Sequence, residues 1–224
     1  MCGRFSFVAL VDIIERFRLI QFEFDFVPRY NIAPSQPVPV VIRQDGKNSL
    51  HLFKWGLIPY WAKDASIGDK LINARAETLE EKPSFRGLLA RKRCLIIADG
   101  FYEWKEEGRR KKPYRITLQD GKSFAFAGLW DSWLSPAGQT INSCTIITTT
   151  SNKLLEPIHH RMPVILPQDK ESLWLDESVT YNQEIKELLR PFPAEQMVVH
   201  EVSTLINSSR YDGPECVFPI QSLF

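Results

Sequence analysis

The chain begins Met-Cys-Gly-Arg-Phe. Removal of the initiator methionine makes Cys2 a terminal residue, with an α-amine and a thiol on adjacent carbons. In a free chain the amine has a pKa near ~8 and the thiol near ~8.5, so both are partly nucleophilic at neutral pH. An aldehyde can condense with such an amine and then be trapped by the sulfur as a five-membered thiazolidine, which no internal cysteine can form. Position alone favours a plainer reading, a small buried apolar residue behind a retained Met1. Three further stretches carry polar groups that a scaffold does not need. "LINARAET" sets Asn73, Arg75 and Glu77 after an apolar pair, "IIADGFYEW" sets Glu103 between aromatics, and "PIHHRMPVIL" sets His159, His160 and Arg161 before an apolar run. Together they supply a nucleophile, an amide, a carboxylate and an imidazole, a set sufficient for acid–base and covalent chemistry. Each also has a structural reading: Asn73 as a helix cap, Glu103 paired with a nearby arginine, the histidines in a surface turn.

The elements that must position these residues are short. Leu10, Ile13, Ile14 and Phe17 share one face of a short helix. "VPVVI" reads as a strand, and the Asp-Gly of "RQDGKNSLHLFKW" as a hairpin turn, a device that "YRITLQDGKSFAFAGLW" repeats at Asp120-Gly121. "RCLIIADGFYEW" and "SCTIITTT" have the β-branched character of buried strands. "TSNKLLEPI", "DKESLWLD" and "NQEIKELLR" read as short helices, "MVVHEVS" and "CVFPI" as closing strands. The strands do not alternate with helices as βαβ units. The expected fold is α+β: a single domain over 1–224 with a curved, barrel-like, mainly antiparallel β core and short peripheral helices.

The 224 residues are 44% hydrophobic with a formal net charge of +1, so a polyanion site must be a local concentration of arginine and lysine rather than a property of the whole surface. The cysteines Cys2, Cys94, Cys144 and Cys216 form no close pair, so neither a zinc site nor a disulfide framework is expected, and no cofactor is implied. The charged residues of "FVALVDIIERFRLI" argue against a signal peptide, and no run of 18 apolar residues suggests a membrane span. Cytoplasm or nucleoid is the default location and a monomer the default state. "KEEGRRKKP" (105–113) reads as a solvated hairpin tip.

Taken in order, "MCGR", "NIAP", "WGLIPYW", "NARAET", "RCLIIADGFYEW", "FAGLW", "TIITTTSN" and "HHRMPV" resemble the SOS response-associated peptidase (SRAP) family. The resemblance runs from residue 2 to about 166. It implies a protein that binds single-stranded DNA and reacts covalently with abasic sites, whose open-ring sugar is an aldehyde. It also implies self-processing that removes Met1, Schiff-base lyase chemistry and reversal of the crosslink. Carried over by motif, Cys2 is the nucleophile, Asn73 holds the terminal residue and the sugar, and Glu103 shuttles protons at the amine. The pattern H-x-R-x-P selects His159 as general acid and base on the sugar ring oxygen, with His160 at the variable position. Arg4, Arg75 and Arg161 are the implied phosphate ligands. Trp61, with Phe101 or Trp104, is the implied stacking platform for bases. Two other readings compete: a non-covalent reader of modified or junction DNA that does not need Cys2, and a peptidase acting on other proteins through Cys2 and His159.

Overall fold

A computed structural model describes residues 2–19 and 25–220. Its strands are β1 (Phe5–Phe7), β2 (Arg29–Ile32), β3 (Pro37–Gln44), β4 (Lys47–Trp55), β5 (Asn73–Arg75), β6 (Arg93–Ala98) and β7 (Gly100–Glu107). They continue with β8 (Arg110–Leu118), β9 (Phe124–Leu134), β10 (Thr140–Thr150), β11 (Arg161–Pro163), β12 (Ile165–Leu166) and β13 (Met197–Glu201). The helices are α1 (Val11–Arg16), α2 (Pro83–Arg86), α3 (Glu171–Leu175) and α4 (Gln183–Glu187), each of one or two turns. Strands β10, β4, β3, β6 and β9 pair in that order, and β9 pairs back to β10, so five strands close a barrel. The pairings are antiparallel except where β10 runs parallel to β4 and β5. A second sheet, β13-β8-β7-β1-β2, packs on the barrel. The join is aromatic: Phe5 lies 5.2 Å from the Trp55 ring and 5.7 Å from Phe126, and Phe101 lies 6.0 Å from Phe126. Closure removes the open edges that an antiparallel sheet of this size otherwise exposes. The expected α+β fold with a barrel-like core is the fold observed.

Local chemistry explains the turns that hold. Asp45 and Gly46 both have positive φ, +50° and +73°, as a tight β3–β4 hairpin requires. The Asn182 side chain accepts from Ile185 N–H at 3.1 Å and starts α4.

Three expectations need correction, those on Asp120-Gly121, residues 152–159 and "CVFPI"; "RCLIIADGFYEW", whose Asp99-Gly100 ends a strand, is β6 of the barrel followed by β7 of the second sheet. The break falls at Asp99, whose buried carboxylate accepts from Ser6 Oγ at 2.6 Å and Arg115 Nη2 at 2.9 Å. The Asp120-Gly121 turn does not close a hairpin, because β8 pairs with β7 and β13 whereas β9 pairs with β6, β10 and β12. Residues 152–159 are successive turns rather than a helix. Their start is nevertheless a cap, since Leu155 N–H donates to Asn152 Oδ1 at 3.0 Å. "CVFPI" is not a strand; only Pro219 bridges, to Val202, after a 3-10 turn at Pro214–Cys216.

Candidate active site

Three strand pairings gather the candidate residues. β1 runs antiparallel to β7, with Phe5 opposite Phe101 and Tyr102 N–H donating to Arg4 O at 3.0 Å. That register carries the amino terminus to Glu103. β10 supplies the other side. β5 lies parallel to it with Asn73 opposite Ile146, and β11 lies antiparallel to it with Arg161 opposite Thr150. The strand tips therefore bring residues 2–4, 73, 103 and 159–161 together from four parts of the chain. A cleft of about 930 Å³ is lined by Gly3, Arg4, Glu103, Trp104, His159 and His160, among others.

Cys2 has 0% exposure; its neighbour Gly3 reaches the cleft wall. Asn73 Nδ2 donates to the Cys2 carbonyl at 2.8 Å, holding Cys2 across 71 positions of sequence. Asn73 Oδ1 is buried and accepts no hydrogen bond among the described residues. Burial pushes the Cys2 thiol well above its ordinary range, and the charge of Glu103 pushes it further. Burial thus favours the thiol over the thiolate, against the partial ionisation expected in a free chain. Met1 lies outside the described residues.

Glu103 is buried on β7 between Tyr102, whose hydroxyl donates to Tyr30 O at 2.7 Å, and Trp104, whose Nε1 donates to Asn207 Oδ1 at 2.7 Å. Burial lifts its carboxyl to about 7, while the positive charge of the chain's amino terminus pulls the other way. A carboxyl poised near neutrality can both take and give a proton at working pH. His159 lies half-buried in the cleft wall. Its Nδ1 is 3.0 Å from Arg161 N and 3.1 Å from Arg161 O. With its proton on Nδ1 the neutral ring donates to that carbonyl and leaves the Nε2 lone pair as the base, and the imidazolium keeps the same Nδ1–H donation. Proton exchange with a ligand then falls to Nε2. Burial lowers the His159 pKa, followed by the charge of the amino terminus, which favours the neutral ring. The His160 ring stacks on it at 4.5 Å and is exposed.

The three arginines differ in setting. Arg75 is exposed and has no ion pair or hydrogen bond from its side chain among the described residues. Arg4 is half-buried: Nη1 donates to Asn31 Oδ1 at 2.7 Å and Ile206 O at 2.8 Å, and the guanidinium lies 5.8 Å from the Trp104 ring centre. Arg161 is only 7% exposed; it grips both Glu77 oxygens, at 2.7 and 3.0 Å, and Thr148 O at 2.7 Å. That fork also holds the Glu77 carboxyl below its usual range.

Among the aromatics, Trp61 is 48% exposed and its neighbour Tyr60 72%. Neither lines the cleft. Their loop is pinned by Tyr60 N–H donating to Asp131 Oδ2 at 2.8 Å and Trp133 Nε1 donating to Ala62 O at 2.7 Å. Phe101 is a core residue with 0% exposure, so the stacking role offered for it is withdrawn. The sequence reading missed Asn31, Asn207 and Lys111. Asn31 orients Arg4 and Asn207 orients Trp104, long-range contacts with no local signal; Lys111 lines the cleft from a strand read only as charged turn.

The family described as SOS response associated peptidase (SRAP) matches residues 1–209. "Abasic site processing protein YoqW" of Bacillus subtilis (strain 168) is 49% identical over 221 residues, covering 97% of this chain and 99% of the relative. "Abasic site processing protein HMCES" of Gallus gallus is 36% identical over 226 residues, 87% of this chain and 67% of the relative. A crystal structure of a protein from Bacteroides thetaiotaomicron superposes with a TM-score of 0.88 at 31% identity, covering 98% of this chain and 100% of the other.

Proposed function

The chain belongs to the SOS response associated peptidase family, and on that premise we propose that it processes abasic sites in single-stranded DNA by covalent capture at Cys2. The observation that carries the reading is the Asn73–Cys2 hydrogen bond of 2.8 Å, which holds Cys2 beside the Glu103–His159 cleft.

Hydrolysis of the Met1–Cys2 bond frees the Cys2 amine. The open-ring abasic sugar offers its C1 aldehyde. The neutral amine adds to that carbon, giving a carbinolamine, and water leaves to give an imine. The Cys2 sulfur then bonds to the imine carbon as the thiol proton passes to nitrogen, closing a thiazolidine; one water is lost overall. Glu103 suits both proton transfers: its carboxylate accepts from the amine and thiol, and its acid form donates to the departing hydroxyl. Its pKa of about 7 supports this role, as does burial that favours the Cys2 thiol over the thiolate. His159 serves the sugar, protonating the ring oxygen as the hemiacetal opens and taking the proton back on reversal. Asn73 Oδ1, buried without a donor, is an acceptor for the freed amine. Arg75 is the exposed phosphate ligand of this reading and Arg4 the one in the cleft wall. Arg161 acts behind them, keeping β11 and His159 in place through Glu77. Trp61 with Tyr60 is the base-stacking platform, a sequence-tolerant contact worth ~1–3 kcal/mol per base.

One observation favours a second reading. The wholly buried Cys2 side chain resembles a structural thiol, which suits a non-covalent reader of modified or junction DNA. Intact mass after incubation with an abasic-site oligonucleotide separates the two. Capture gives a species without Met1, heavier by the oligonucleotide less one water. A species that keeps Met1 and gains no DNA, under conditions where binding persists, supports the reader. Cys2→Ala then retains the function of a reader and abolishes that of a capturing protein. Cys2→Ser keeps the amine without the sulfur trap; its adduct is reversible and shifts toward strand incision. A heat-stable adduct from that variant without borohydride removes the thiazolidine step.

A further inference from the structure

Resting on the DNA reading above, we propose that the β7–β8 hairpin is a phosphate-binding arm that holds one flank of the captured strand beyond the cleft. Glu103 stands at its base in the active-site cleft, and Lys105 and Lys111 of the same hairpin line that cleft. Residues 105–112 contain five basic and two acidic side chains. Lysines take up both acids: Lys111 pairs with Glu106 at 3.0 Å, and Glu107 pairs with Lys112 at 3.2 Å and Lys105 at 3.4 Å. Arg109 and Arg110 remain. They sit at the turn beside Gly108, exposed, with no side-chain hydrogen bond or ion pair among the described residues.

A hairpin kept soluble by cross-strand lysine–glutamate pairs does not need two adjacent unpaired arginines, which repel each other. Their planar, always-charged forks suit phosphate. Arg109 lies six residue steps beyond Glu103, roughly 20 Å at a strand rise of about 3.3 Å per residue. Phosphates along one strand of a B-form duplex advance about 3.4 Å each along the helix axis, and those of an extended strand farther. The arm therefore reaches phosphates on the order of three to six nucleotides from the lesion. Trp61 and Arg75 do not line this cleft, so the arm serves one flank only.

The test is the salt dependence of binding to an undamaged single strand that overruns the cleft on both sides. Arg109→Ala/Arg110→Ala is expected to reduce the slope of log K against log salt by about 1.4, at about 0.7 per phosphate on single strands. Charge reversal with glutamate at both positions lowers affinity further. The charge-matched control Arg91→Ala/Lys122→Ala, at two exposed positions outside the hairpin, leaves the slope unchanged. Equal slopes for the arm variant and the parent, or equal losses in arm and control variants, overturn the arm. Abasic strands trimmed on one side or the other test the flank. The capture-rate difference between arm variant and parent disappears for one trimming only, and its disappearance for both or neither overturns the one-flank geometry. Melting temperature verifies the fold of each variant. If the parent captures no abasic strand, the Cys2 reading fails, while the slopes on undamaged DNA still decide the arm.

Discussion

Glu103 shows why a functional carboxylate costs stability. Its folded pKa of about 7 lies above the ordinary 4.5, so the folded state binds its proton more tightly than the unfolded state does. Its stabilising contribution is full below about pH 4.5 and lost as pH rises through about 7. Glu103→Gln should therefore raise the melting temperature at pH 8, with the gain disappearing by pH 5. The same substitution should remove the limb of the capture rate that rises through about pH 7 and slow capture by on the order of 10²–10³. A persisting limb would assign that proton transfer to another group. Asn73→Ala tests the hold on the terminal residue. Losing one such hydrogen bond costs about 0.5–1.5 kcal/mol, so capture should slow up to about tenfold at unchanged non-covalent affinity; a matching loss of affinity would make Asn73 a DNA ligand instead.

At the scale of elements, two long-range contacts carry testable consequences. Gly56 has φ +125°, and a Cβ there would come within 2.6 Å of Gly68 O, so the backbone just after β4 and the 65–70 turn approach glycine against glycine. That seam carries the Tyr60–Trp61 loop. Gly56→Ala should cost more than about 1 kcal/mol in urea denaturation and weaken single-strand binding by displacing the aromatics. Tight binding alongside the stability loss would separate the loop from the DNA. The second contact is the buried pair of Arg16 on α1 and Glu171 on α3, to which Ser123 O adds an acceptor for Arg16 at 2.7 Å. Burial raises the Glu171 carboxyl to about 7 against the pull of Arg16, so its contribution too is lost as pH rises through that value. Arg16→Met leaves the carboxylate buried alone, a loss of about 3–5 kcal/mol. Part should return at pH 5, where Glu171 is protonated, and more in the double variant with Glu171→Leu. Equal losses at pH 5 and pH 8 would show that packing, not charge, sets the cost.

For the whole molecule, a net charge of +1 means that DNA binding depends on a few placed cations. With Arg4, Arg75, Arg109 and Arg110 as the phosphate ligands, the salt slope of non-covalent binding should be about −3, at about 0.7 per phosphate on single strands. A slope near zero would take phosphate contacts out of the account. Among the described residues no helix is long and apolar enough to cross a membrane. Folding in the strict sense is a whole-molecule matter here, because the barrel closes only when β9 meets β10 and the second sheet docks through Phe5 and Phe101.

The identity of the chemical groups was legible in the order of motifs from "MCGR" to "HHRMPV", and the α+β class in strands too short and too rarely followed by helices for βαβ units. The Asp45-Gly46 hairpin was legible because a tight turn is a local matter of two positive φ angles. Asp120-Gly121 carries the same dipeptide and joins strands of different sheets, since pairing depends on partners far along the chain. Only the tertiary structure decided that the Cys2 sulfur favours the thiol and that the Glu103 carboxyl is poised near neutrality, because both follow from burial and neighbouring charge. It likewise decided that Arg161 faces Glu77 and that Phe101 is core. A sequence displays which groups a chain carries; their protonation and exposure are set by what the fold packs around them.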